Sequence, residues 1–130
     1  MTQTILLIDD DDAILKVASS ILEAAGYKAI PFASPVEAIA YYTLNQHHIH
    51  AILLDMTMTE MDGIQCAKAL WGINTQAAII LSSGYSLEDI MQDHQDIQFH
   101  AFLQKPYRQQ MLIKKVQSVL PLNQTPSQLA

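Results

Sequence analysis

Five short, nearly continuous apolar runs constrain this chain more than any other feature of its sequence. They occupy residues 5–8, 29–32, 51–54, 78–81 and 101–103, each the length of a strand and most without polar alternation. An uninterrupted apolar strand is one covered on both faces, the habit of parallel sheets in α/β domains. Helical patterns separate the runs. In the first, Ile14, Val17, Ala18, Ile21, Leu22 and Ala25 recur at helical spacing, and Gly26 follows where a helix end favours positive φ. In the second, Ser34-Pro35-Val36-Glu37 supplies a capping hydroxyl, a proline at the first helical position and a glutamate able to bond back to the cap. A third helix is expected after Asp62-Gly63 and a fourth at Ser86-Leu87-Glu88-Asp89. A fifth follows Pro106, with Leu112, Val116, Val119 and Leu120 on one face. Among the four acids in a row, Asp12 is the expected cap of the first helix. Five β-α units with right-handed crossovers predict a doubly wound, flavodoxin-like α/β fold, a five-stranded parallel sheet of order 2-1-3-4-5.

At 130 residues the chain has room for one domain, expected over 1–120, with the proline-containing polar stretch 121–130 as a tail or linker stub. A domain of this size builds a core without covalent staples, and the lone Cys66 cannot form an internal disulfide. No secretory leader is evident and no apolar run approaches the ~20 residues of a membrane span, so a cytoplasmic setting is the expectation. Thirteen acids against seven bases give a net charge of −6, unfavourable for a sequence-independent grip on nucleic-acid phosphates. The excess is local: without Asp9, Asp10, Asp11 and Asp12 the balance would be −2.

Ligands of open α/β sheets sit beyond the carboxyl ends of the strands. The first run here leads into Asp9 and Asp10, the third into Asp55, the fourth into Ser82 and Ser83, and the fifth into Lys105. Three carboxylates gathered at one sheet edge repel one another unless a cation lies between them. With oxygen donors and no His or Cys at these ends, hard Mg²⁺ fits better than zinc or copper. A lysine and a hydroxyl facing the same spot would serve the oxygens of a phosphoryl group. No glycine-rich phosphate loop or G-x-S-x-G frame occurs, which leaves a carboxylate, Asp55, as the nucleophile that could form an aspartyl phosphate.

Five segments, in order, carry a family resemblance: Ile5-Leu6-Leu7-Ile8-Asp9-Asp10, Leu53-Leu54-Asp55, Met61-Asp62-Gly63, Ile80-Leu81-Ser82-Ser83-Gly84 and Phe102-Leu103-Gln104-Lys105-Pro106. Over residues 4 to about 120 the chain resembles the receiver domain of two-component response regulators. The resemblance implies Asp55 as phosphoacceptor, and Asp9 and Asp10 as the acidic pair that binds Mg²⁺ together with Asp55 and the backbone carbonyl of Thr57. It further implies Ser83 as switch hydroxyl beside a small Gly84, Phe102 as aromatic switch, and Lys105 as the phosphate-contacting lysine, with a cis bond to Pro106. A histidine kinase or histidine phosphotransfer protein would be the donor, and a downstream protein would read the face around the fourth helix and fifth strand. Catalysis beyond phosphotransfer onto its own aspartate and self-dephosphorylation is not expected. The Phe-Leu-Gln-Lys-Pro-Tyr and Ser-Ser-Gly-Tyr stretches are similar to receivers that end hybrid histidine kinases.

The chain departs from the family at Thr59, where receivers commonly carry proline; the turn loses a fixed φ and gains a donor. Phe102 lacks the hydroxyl of the tyrosine often found there, and an aromatic at a sheet end serves packing as readily as switching. His47, His48 and His50 read as a surface connection, not a metal site, and Cys66 as a small core residue. Asp55-Met56-Thr57-Met58-Thr59 is also similar to the phosphorylation motif of P-type ATPases, but in that superfamily the nucleophile precedes the acidic pair, the reverse of the order here. The remaining alternative is a pseudo-receiver that binds its partner without phosphorylation.

Overall fold

A computed structural model describes residues 2–120, so the expected tail at 121–130 lies outside the described residues. The elements are β1 (Thr4–Ile8), α1 (Asp12–Ala24), β2 (Lys28–Phe32), α2 (Pro35–Asn45), a 3-10 turn (Gln46–His48), β3 (Ala51–Asp55), α3 (Gly63–Ile73), β4 (Ile79–Ser83), α4 (Leu87–Met91), β5 (Ala101–Gln104) and α5 (Gln109–Val119). All strand pairs are parallel and the order is β2-β1-β3-β4-β5, the topology the apolar runs predicted.

Apolar continuity has the expected cause. Ile5, Leu7, Leu53, Ile80 and Leu103 face α1 and α5, packing on Leu15, Ala18, Leu22, Leu112 and Val116. Their neighbours Leu6, Ile8, Ile52, Leu54, Ile79 and Leu81 face the other way, onto Ala38 and Tyr42 of α2 and Ile64, Ala67 and Leu70 of α3. Every second side chain thus enters a different core, and neither set has a place for a polar residue. Cys66 is wholly buried in the second core, where desolvation pushes its thiol up to about 12; it remains an unreactive thiol at neutral pH.

Three local expectations change. Asp11, not Asp12, caps α1, its carboxylate accepting from the backbone N–H of Ala13 at 2.9 Å and Ile14 at 3.3 Å. The Asp11 N–H in turn donates to Asp9 Oδ1 at 2.9 Å, a turn that delays helical geometry until Asp12. The buried stripe of α1 is Leu15, Ala18 and Leu22, whereas Val17 is 58% exposed and Ala25 forms the exposed helix end. The helix is rotated so that Ile14 and Val17 lie at the rim of the core, towards Pro106 and Tyr107. At α2, the Ser34 hydroxyl accepts from Glu37 N at 3.2 Å, but the reciprocal capping box forms at α3, between Asp62 and Gln65. Gly26 has the anticipated positive φ, 97°.

The histidines before β3 play a backbone role. His50 Nδ1 accepts from Thr4 N at 2.9 Å while its own N–H donates to Thr4 O at 2.9 Å, extending the β1–β3 ladder by one residue; His47 and His48 are exposed. No helix among the described residues is long and apolar enough to cross a membrane.

Candidate functional site

Strand register assembles the site. Ile8 pairs with Leu54, so Asp9 and Asp55 emerge side by side at the ends of the central strands, and Asp55 itself pairs with Ser82. Alternation puts Asp9, Asp55 and Ser82 on the α1/α5 side, following Leu7, Leu53 and Ile80. Lys105 follows Leu103 at the same spacing. Its ammonium donates to Asp55 Oδ1 at 2.8 Å and to Asp9 Oδ2 at 3.0 Å. The Lys105–Pro106 peptide is cis.

Asp9 and Asp55 are each only 6% exposed, whereas Asp10 faces solvent. One oxygen from each of Asp9, Asp10 and Asp55 lies within 4.8 Å of the other two, the one such cluster of potential metal ligands among the described residues. Burial holds the Asp55 carboxyl above its ordinary range. The Lys105 hydrogen bond and charge pull it down, and the charges of Asp9 and Asp10 add to the rise. Lys105 responds oppositely: burial disfavours its charged form, but the bonds to Asp55 and Asp9 outweigh that and raise its pKa. One ammonium therefore bridges two buried carboxylates, with a third, Asp10, close by outside the bridge, and Asp55 remains reluctant to ionise. An oxygen-only donor set with uncompensated negative charge fits a hard divalent cation.

The other anticipated residues lie around this centre. Thr57 is exposed, two residues past Asp55. Ser83 is buried on the opposite face of β4, where its hydroxyl accepts from Tyr85 N at 3.0 Å and keeps its own proton to donate. A side chain at Gly84 would meet none of the described residues within 4 Å, so space is open beside the strand end. Phe102 is partly buried on the Ser83 side and borders a groove with Leu87, Gln104, Tyr107 and Met111. A second, largely apolar groove of about 500 Å³ runs between Ala13, Ile14 and Val17 of α1 and Gly84, Pro106 and Tyr107, with Lys105 at its edge.

Four residues of the site have contacts or gaps that the sequence did not assign to them. Thr59 donates to Asp10 Oδ2 from both its backbone N–H and its hydroxyl, each at 3.0 Å. The signal was present in the departure from proline, which restores an N–H. The Gln104 amide spans the strand end, donating to Gly84 O at 2.9 Å and to Ser83 O and Lys105 O at 3.3 Å, and so ties the β4–α4 loop to β5. Ser82 carries a buried hydroxyl with no hydrogen-bond partner among the described residues, beside a small cavity that Asp9, Asp55 and Tyr107 also line. Gly63 supports the floor: a Cβ there would sit 2.8 Å from both Asp55 O and Met56 Cα. Its N–H donates to Met56 O at 2.7 Å, closing the base of the loop after Asp55.

A parallel 2-1-3-4-5 sheet with an acidic cluster and a lysine at its carboxyl edge defines a receiver-type signalling domain. The response regulator receiver domain family matches residues 5–117, and the chain belongs to that family, whose members are receivers of two-component systems. Among curated proteins it is 25% identical over 122 residues to sporulation initiation phosphotransferase F of Bacillus subtilis, covering 94% of this chain and 97% of that one. It is 29% identical over 120 residues to the response regulator protein TodT of Pseudomonas putida, covering 91% of this chain but about half, 51%, of that longer protein. Among solved structures, the CheX–CheY–BeF3–Mg²⁺ complex from Borrelia burgdorferi superimposes with a TM-score of 0.83 at 27% identity, over 90% of this chain and 88% of that one.

Proposed function

We propose that this receiver accepts a phosphoryl group on Asp55 from a phosphohistidine of a histidine kinase or phosphotransfer protein, and that the modification changes which protein it binds. The observation that carries the reading is the Lys105 bridge between Asp9 and Asp55, with Asp10 within reach of both. Lys105 holds one oxygen of Asp55 and leaves the other to attack phosphorus. The P–N bond of the donor breaks as the P–O bond forms, and the imidazole leaves with the bonding pair, giving an acyl phosphate. Asp9, Asp10, Asp55 and the backbone carbonyl of Thr57 are the residues that would hold Mg²⁺. When bound, the cation supplies the positive charge that lets a dianion approach an acidic pocket.

Once a phosphoryl group is in place, Lys105 can transfer its donors to the new oxygens and the Ser83 hydroxyl can donate across the open space at Gly84. Such a shift pulls the β4–α4 loop, to which Gln104 is hydrogen-bonded and which shares a groove with Phe102. The groove around Phe102, Leu87 and Met111 on the α4/β5 face is then the surface a downstream protein reads. The apolar groove of Ile14, Val17 and Tyr107 beside Lys105 suits the phosphodonor protein. The net charge of −6 weighs against direct nucleic-acid contact, and a cytoplasmic receiver, free-standing or part of a hybrid histidine kinase, fits this role. The domain's only turnover would be hydrolysis of its own aspartyl phosphate.

Incubation with a small-molecule phosphodonor and Mg²⁺ is the test. The intact protein should gain one phosphoryl mass, and removal of divalent cation or the substitution Asp55→Asn should abolish the gain. Partner binding indifferent to both donor and Asp55→Asn would favour the pseudo-receiver alternative.

A further inference from the structure

The departure at Thr59 has a structural counterpart that no other acid of the cluster shares. Asp9 and Asp55 are fixed by Lys105, but Asp10 is exposed and out of that bridge; its Oδ2 is held by the two donors of Thr59, 49 positions away in sequence. Both ends of the loop that carries Thr59 are anchored. Gly63 N bonds Met56 O at its base, and Asp62 and Gln65 form the capping box that starts α3. The tip is joined to the acidic cluster by the Thr59–Asp10 contact. Proline at this position would have neither an N–H nor a hydroxyl to offer.

We propose that Thr59 is a positioning residue that pre-organises Asp10 for the divalent cation, and that cation occupancy and closure of the 56–62 loop onto Asp10 are thereby coupled. The inference rests on the reading of Asp9, Asp10 and Asp55 as the cation site. An exposed aspartate samples several rotamers, and a ligand that must be immobilised on binding weakens affinity. With Oδ2 already held, Oδ1 is the oxygen left for the cation, and the three acids already converge within 4.8 Å. Linkage makes the effect reciprocal: if loop closure favours the cation, the cation must favour loop closure by the same factor.

Mg²⁺ affinity measured by titration calorimetry on the full chain, with folding checked by circular dichroism, tests this. Thr59→Val removes the hydroxyl donor and Thr59→Pro removes both, so dissociation constants should rise by about threefold and up to about tenfold respectively. Thr59→Ser keeps both donors and should restore the original value. In the unsubstituted protein Mg²⁺ should slow hydrogen exchange at the Thr59 amide, and in Asp10→Asn it should not. If Asp10→Asn binds Mg²⁺ as tightly as the unsubstituted chain, the cation-site reading fails and this inference falls with it. If Asp10→Asn weakens binding but the Thr59 substitutions leave it unchanged or tighten it, Thr59 does not pre-organise Asp10 and the inference alone is overturned.

Discussion

Lys105→Met lowers the stability of the metal-free protein by about 2–3 kcal/mol, below the ~3–5 kcal/mol of a fully buried pair because the lysine side chain is 20% exposed. The methionine fills similar volume but leaves Asp9 and Asp55, both almost wholly buried, without their cation. Removing the positive neighbour also removes what now restrains the Asp55 pKa, so the carboxyl rises further and is protonated over a wider pH range. Urea denaturation with and without Mg²⁺ checks this. The deficit should be largest without divalent cation and should shrink as Mg²⁺ supplies the missing charge. Phosphoryl acceptance should fall by about 10²–10³-fold, the usual consequence of losing a donor aimed at charge that develops in a transition state. A Lys105→Met protein as stable as the original would mean that the bridge contributes nothing.

Asp55→Asn has the opposite sign. Because the folded-state pKa of Asp55 lies above its ordinary 3.8, the native protein binds this proton more tightly than the unfolded chain does. Stability therefore declines as pH rises from 3.8 through the raised value, and ionised Asp55 weighs against the fold above that window. The amide resembles the protonated acid and escapes this penalty. Asp55→Asn should thus raise the metal-free melting temperature at neutral pH by roughly 5 °C, taking about 1 kcal/mol for the relieved charge, and the gain should vanish near pH 3. Saturating Mg²⁺ should narrow or reverse the difference, since the original chain has one more carboxylate to offer. Melting curves across pH, with chelator and with Mg²⁺, give all three comparisons. A variant less stable than the original at pH 7 without metal would show that the Lys105 bond outweighs the repulsion.

The sheet and the centre of the site were legible for the same physical reason. A parallel sheet covered on both faces writes its strands as apolar runs, and Asp9, Asp55 and Ser82 are the first polar residues after the first, third and fourth of them, with Lys105 one residue further on after the fifth. Rotation of α1 was not legible, because Ile14 and Leu15 are equally apolar and only packing against α5 and β1 selects Leu15. Nor was the cap: four successive aspartates offer the same chemistry, and the choice of Asp11 depends on the turn that Asp9 imposes. The Thr59–Asp10 and Gln104–Gly84 bonds join residues far apart in the chain, each with an end in an exposed loop where no periodicity operates. A proline-to-threonine departure told of a gained donor but not of its acceptor.

The central claim is that Asp55, and none of its acidic neighbours, carries the phosphoryl group. Borohydride reduction of protein treated with phosphodonor and Mg²⁺ converts an aspartyl phosphate to homoserine, and peptide mass mapping then locates the converted residue. Homoserine is expected at position 55 alone, dependent on divalent cation. Conversion at Asp9 or Asp10, or at no aspartate while the phosphoryl mass is present, would contradict it.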